Sequence, residues 1–228
     1  MEETFFLNVG FNETETHREA KTKTRIWPAL ISFNNWIMKN PVPGIIADGA
    51  GVTLLTNCSI AIEGLITDLL EEYIQTLPAE TRPAFNADYA TWKIKKPLYN
   101  RLFSGPLEQY PHFETVNILI AFRNNLVHGR SHDEVVRTEH ATGQKGSVES
   151  ENNSYQAIRE FLVRKRLLQA KDVPSNSDYL WKYQTACMLV WEVKQFLKAI
   201  IKNHDPSNSV GIARELEYAL QNTGTINA

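Results

Sequence analysis

The chain has 228 residues, long enough for one generous domain or one domain with an appendage, and a core of that size needs no metal or disulfide to hold it. Hydrophobic residues make up 43 % and charged residues 22 %, ordinary globular values that exclude a disordered, collagenous or fibrous chain. Twenty-four basic residues against 26 acidic ones leave a net charge of −2, so extensive electrostatic coating of nucleic acid is not expected, while local contact with a phosphate chain is.

Met1-Glu2-Glu3-Thr4 lacks the basic start of a secretory signal. No stretch approaches ~18 uninterrupted apolar residues, so no membrane partner is expected. The two cysteines, Cys58 and Cys187, cannot make a disulfide framework and sit at apolar-periodic positions, as small buried thiols do. These features together predict a cytoplasmic, reduced protein.

In chain order, Phe5-Phe6-Leu7-Asn8-Val9 reads as a short strand or an arm, and Trp27 to Lys39 as a helix with Pro28 in its first turn. Pro41-Val42-Pro43-Gly44 is a loop. Val52 to Ile74 carries apolar residues at 3–4 spacing and predicts a long helix bounded by Gly49-Ala50-Gly51 and Pro78. Residues 79–106, rich in proline, lysine and aromatics, read as a long connection. His112 to His128 is the next helix, ended by Gly129. Residues 130–151 read as a polar loop, followed by helices over Tyr155–Ala170, Tyr179–Asn203 and from Asp205-Pro206-Ser207 to about Asn222. Apolar residues surround most of the Tyr179–Asn203 helix, which predicts a central place in the bundle. The expected class is all-α, with an N-terminal extension over residues 1–50 (an arm plus a short helix) and a helical domain over 51–228.

One constellation stands out. On a helical wheel, Val116, Leu119, Ile120, Phe122, Leu126 and Val127 define an apolar face of the His112–His128 helix, with Arg123 near its middle. Glu114, Asn117, Asn124 and His128 lie opposite. A guanidinium on a core-facing stripe cannot lose its charge, so it must meet an anion or reach a wet cleft. The anion would be Glu63 or Glu71 on the preceding long helix. His128, just before a helix-ending glycine, also suits the negative end of the helix dipole.

Arg123-Asn124-Asn125-Leu126-Val127-His128 is an arginine, a polar residue, three more and a histidine, late in an apolar helix of an all-α chain. It resembles the active-site motif of the HEPN superfamily (higher eukaryotes and prokaryotes nucleotide-binding), over roughly residues 52–204. The resemblance implies an up-and-down helical bundle that pairs as a homodimer. A composite site between protomers would cleave RNA without metal or other cofactor. Five residues along a helix set Arg123 and His128 about 140° apart. Convergence then needs unwinding at Gly129 and a two-fold partner supplying its own copies.

In that setting the RNA 2′-hydroxyl is the nucleophile, His128 moves protons near neutral pH, and Arg123 holds phosphate oxygens. Asn124 would orient the phosphate or the imidazole. Expected products are a 2′,3′-cyclic phosphate and a 5′-hydroxyl. The resemblance also points to toxin–antitoxin or antiphage systems, with a possible antitoxin protein as partner. Other superfamily members are catalytically silent modules that bind a protein or nucleotide.

Arg159, Arg164, Lys165 and Arg166, with Lys171, form a basic run that is either a solvated face or an electrostatic track for RNA. Arg82, Lys93, Lys95, Lys96 and Arg101 alternate with Tyr89, Trp92 and Tyr99, which suits either single-stranded RNA or a segment folded over the bundle. His132, Asp133, Glu134 and His140 sit in the polar loop, without the anchoring a metal site needs. No serine has a nucleophile-elbow context, no glycine loop matches a nucleotide fingerprint, and no helix-turn-helix spacing is evident.

Overall fold

A computed structural model describes residues 8–11, 20–40, 42–127, 134–138, 145–150, 153–167, 182–203 and 210–221. Its core is wholly helical, so the chain is all-α. Seven α-helices are described: α1 (Trp27–Lys39), α2 (Ala47–Thr76), α3 (Trp92–Leu102), α4 (Phe113–Val127), α5 (Asn153–Arg164), α6 (Tyr183–Asn203) and α7 (Val210–Gln221). Two antiparallel hairpins stand beside them: β1 (Asn8–Phe11) pairs with β2 (Ala20–Lys23), and β3 (Glu134–Thr138) with β4 (Lys145–Ser150).

α2 is the axis of the bundle, in contact with α1, α3, α4, α6 and α7. Leu54, Leu55, Ile62, Leu65, Ile66, Leu69 and Leu70 are fully buried along it. At roughly 1.5–3 kcal/mol for each fully buried large aliphatic, that helix alone supplies much of the burial energy. It is the one helix among the described residues long and apolar enough to cross a membrane, yet that apolar surface lies inside the bundle. The sequence pattern had favoured the Tyr179–Asn203 segment for the central position. α6 instead keeps one side open, with Trp191 53 % exposed.

α2 begins at Ala47 and runs straight through Gly49-Ala50-Gly51, which had been expected to precede it. A helical glycine costs about 1 kcal/mol against alanine, yet the helix continues through Gly49 and the buried Gly51. The boundary expected between residues 50 and 51 therefore falls inside a helix. α1 is no appendage either: Trp27, Ile31 and Ile37 belong to the common core, against α2 and α7. Gly64 permits the close approach of α1 to α2, since a Cβ there would lie 3.3 Å from the Trp27 side chain.

Arg25, just ahead of α1, ties three parts of the chain together. Its side chain is 5 % exposed and pairs with Asp68 at 3.0 Å, Glu215 at 2.7 Å and Glu72. Trp27 Nε1 donates to the same Asp68 at 2.7 Å.

The 79–106 connection contains α3, a helix that includes Pro97. Its two buried positions are Lys95 and Tyr99, so it lacks the apolar stripe by which a helix is recognised. The 130–151 segment, expected as loop, holds the β3–β4 hairpin.

α5 ends in a Schellman turn. Leu167 N donates to Leu162 O and Arg166 N to Val163 O, both at 2.9 Å, and Arg166 takes φ 58°. This left-handed position favours glycine. Arg166→Gly is expected to raise stability by about 0.5–1 kcal/mol, or roughly 1–4 °C in thermal midpoint. A midpoint lowered by that amount in calorimetry would contradict the assignment.

Candidate functional site

α4 positions the arginine. Phe113, Val116, Ile118, Leu119, Ile120 and Phe122 bury one broad side of the helix against α2, α5 and α6. Leu126 and Val127, expected on that face, are instead 42 % and 65 % exposed. Arg123 lies where the core gives way to solvent.

Arg123 Nη2 donates to Glu63 Oε1 at 2.5 Å, so the anion it meets is one of the two carboxylates anticipated on α2. Neither side chain is sealed, at 22 % and 18 % exposure. Both line an open cleft of about 690 Å³ between α2, the start of α3 and α4, together with Trp92, Lys93, Asn117 and Asn124. Asn125 lines it as well, although it is only 2 % exposed.

Two donors at this cleft are unused among the described residues. Arg123 Nε and Asn125 Nδ2 are buried with no hydrogen-bond partner. A buried donor without a partner costs about 1–3 kcal/mol, and an acceptor entering the cleft would relieve that cost. Lys95, 7 % exposed, is near enough to Arg123 and Glu63 to interact with both charges. Burial holds its ammonium below the ordinary lysine range, Glu63 and Glu71 oppose that shift, and Arg123 adds to it. Across the cleft, Trp92 Nε1 donates to Asn117 Oδ1 at 3.1 Å, which fixes the indole between α3 and α4.

His128 lies outside the described residues, as do His132, Asp133 and His140; the Glu134 side chain is not described. Among the described residues, no group of three His, Cys, Asp or Glu could hold a metal.

The basic run does not form one surface. Arg159 is buried, Lys165 pairs with Glu192 at 2.7 Å, and Arg164 is exposed but pairs with Glu114. Arg166 is exposed at the Schellman position. A continuous RNA track over Arg159, Arg164, Lys165 and Arg166 is therefore not present, because a 12-residue helix turns Arg159 into the core while its end turns outward. Two of the five cations of residues 79–106 are engaged. Arg82 donates to the carbonyls of Leu77 and Gln75 at the end of α2, and Lys96 pairs with Glu108 at 2.7 Å beside the Phe113 ring.

A second cluster gathers on Glu192, unforeseen in the sequence because its members come from three separate segments. Glu192 accepts from Thr115 and from Lys165, with His112 Nδ1 at 3.5 Å, beside an open pocket of about 430 Å³. Burial pushes the Glu192 carboxyl up, and the bonds from Lys165 and Thr115 outweigh it and hold it below the usual range.

Neither cysteine suits nucleophilic chemistry. Burial pushes the Cys58 thiol up to about 12, against a hydrogen bond from Asn34, and burial raises that of Cys187. Since the thiolate is the reactive form, an aromatic disulfide reagent should label Cys187 slowly and Cys58 only on unfolding. Rapid labelling of two thiols in the native protein would contradict this.

Comparison with known proteins finds no family model, no curated protein and no solved structure that matches this chain.

Proposed function

We propose that this chain is a HEPN-like, metal-independent endoribonuclease acting as a homodimer, with Arg123 and His128 as the reacting pair and Asn124 in support. The observation that carries the reading is the placement of Arg123. The HEPN-type motif puts an arginine late in an apolar helix, and here that arginine lines an open cleft with a donor to spare. Its rigid fork suits the oxygens of a phosphodiester, and the charge that builds on them in the transition state is what a fixed cation stabilises.

His128 takes the proton from the 2′-hydroxyl as that oxygen attacks phosphorus. The same imidazolium, or the partner's His128, returns a proton to the departing 5′-oxygen. The bond broken is phosphorus to 5′-oxygen, and the ends left are a 2′,3′-cyclic phosphate and a 5′-hydroxyl. Glu63 occupies the guanidinium in the free protein and yields to the substrate phosphate.

That same Glu63 pair favours one rival: a catalytically silent helical module binding a protein or nucleotide, with Arg123 as a structural ion pair. A toxin or antiphage role, and an antitoxin partner, follow only from the HEPN resemblance. The test is cleavage in EDTA of matched RNA and DNA strands, and of RNA carrying one 2′-deoxy residue. RNA should be cut, DNA should not, and the deoxy position should be skipped. Equal cleavage of DNA, or activity abolished by EDTA, would remove the 2′-hydroxyl mechanism.

A further inference from the structure

The motif's polar residue, Asn124, shares the cleft with a second amide, Asn125. Asn124 is only half-buried, whereas Asn125 is nearly sealed and carries a donor with nothing to bond among the described residues. Trp92 lines the same cleft, half-buried, with its indole held through Asn117. The cleft volume of about 690 Å³ lies within the ~300–1,000 Å³ of small-ligand sites, room for one or two nucleotides.

We propose that Asn125 and Trp92 form a nucleotide subsite in the Arg123 cleft: Asn125 Nδ2 donates to a phosphate oxygen of the bound strand, and the adjoining base stacks on the Trp92 indole. This inference rests on the ribonuclease reading and adds two binding residues to it. A phosphate oxygen is the fitting acceptor, because the neighbouring Arg123 Nε is also without a partner and its guanidinium carries a permanent positive charge. Exposed Lys93 stands at the rim, where the backbone would enter. Indole stacking requires an unpaired base, so the subsite admits single strands and rejects a duplex.

The inference also accounts for why an amide stays buried at a cost. Replacing a buried, partnerless donor with an apolar group of similar size removes its desolvation penalty. A purely structural Asn125 would therefore be improved by leucine with no other consequence.

The test is fluorescence anisotropy with a short single-stranded 2′-O-methyl RNA, which lacks the nucleophile and stays intact. Asn125→Leu should weaken binding about tenfold while the thermal midpoint holds or rises. Asn125→Ala serves as the smaller substitution and should weaken binding to a similar degree. Trp92→Leu should cost about tenfold and Trp92→Phe much less, since a ring that still stacks is retained. Arg123→Ala, measured alongside, separates the two levels of the argument. Unchanged affinity in both Asn125 variants, with a large loss in Arg123→Ala, would overturn the subsite and leave the ribonuclease cleft standing. No binding by the unmodified protein, or no loss in any variant, would overturn both.

Discussion

Arg123→Ala should lower RNA cleavage at least ~10²-fold, read as the single-turnover rate on a labelled single strand in EDTA. On the proposed mechanism, the size follows from removing the guanidinium fork that would hold the phosphate in the transition state. Arg123→Lys keeps the charge and loses the fork, so it should recover only part of the rate. Loss of the guanidinium also leaves Glu63 without its partner, but both side chains are about one-fifth exposed, and water can resolvate the carboxylate. The stability cost should stay near ~1 kcal/mol, far below the loss of rate. His128→Ala should fall by a comparable factor. The double variant should be little worse than either single one, because groups acting as a unit are not additive. A rate within threefold of the unmodified protein in Arg123→Ala would place the chemistry elsewhere.

Arg25→Ala should destabilise the protein by about 3–5 kcal/mol, the cost of leaving buried carboxylates without their cation. At roughly 2–4 °C per kcal/mol for a chain of this size, the thermal midpoint should fall by about 6–20 °C. Three acids converge on this guanidinium, two from α2 and one from α7, and its side chain is 5 % exposed. No other described ion pair joins the residues before α1 to the middle of α2 and the last helix. Arg25→Ala combined with Glu215→Gln should lose much less than the sum of the two single changes, since the second removes a charge that the first strands. Strict additivity in that cycle, or a midpoint within 2 °C in Arg25→Ala, would show the cluster to be energetically inert.

The two predictions rest on residues of very different legibility. Arg123 was visible because a charge interrupts an apolar stripe, and Glu63 was one of two carboxylates within reach on the preceding helix. α1 was legible to the residue, since Trp27 and Pro28 open it and the polar, proline-broken loop closes it. Arg25 left no trace, because its partners are brought to it by the fold and no spacing links them.

α3 was hidden for a related reason. Pro97 argues against a helix, and the buried face is made of a lysine and a tyrosine, whose long apolar stems and ring pack where leucines would be expected. The wheel also misjudged Leu126 and Val127. Angular position gives the side a residue takes, while burial depends on whether a neighbouring helix extends that far along the axis. Asn125 was passed over because a polar residue two positions from Arg123 falls on another side of an ideal wheel. In the bundle both line the same cleft, where the core ends and the cleft curves around the helix.

The ribonuclease reading is tested most directly by incubating a single-stranded RNA, labelled at its 5′ end, with the unmodified protein and with His128→Ala in EDTA, and analysing the new ends. The expected result is cleavage by the unmodified protein alone, with a 2′,3′-cyclic phosphate on the upstream fragment and a 5′-hydroxyl on the downstream one. Cleavage that persists in His128→Ala, or fragments with 5′-phosphate ends, would contradict it.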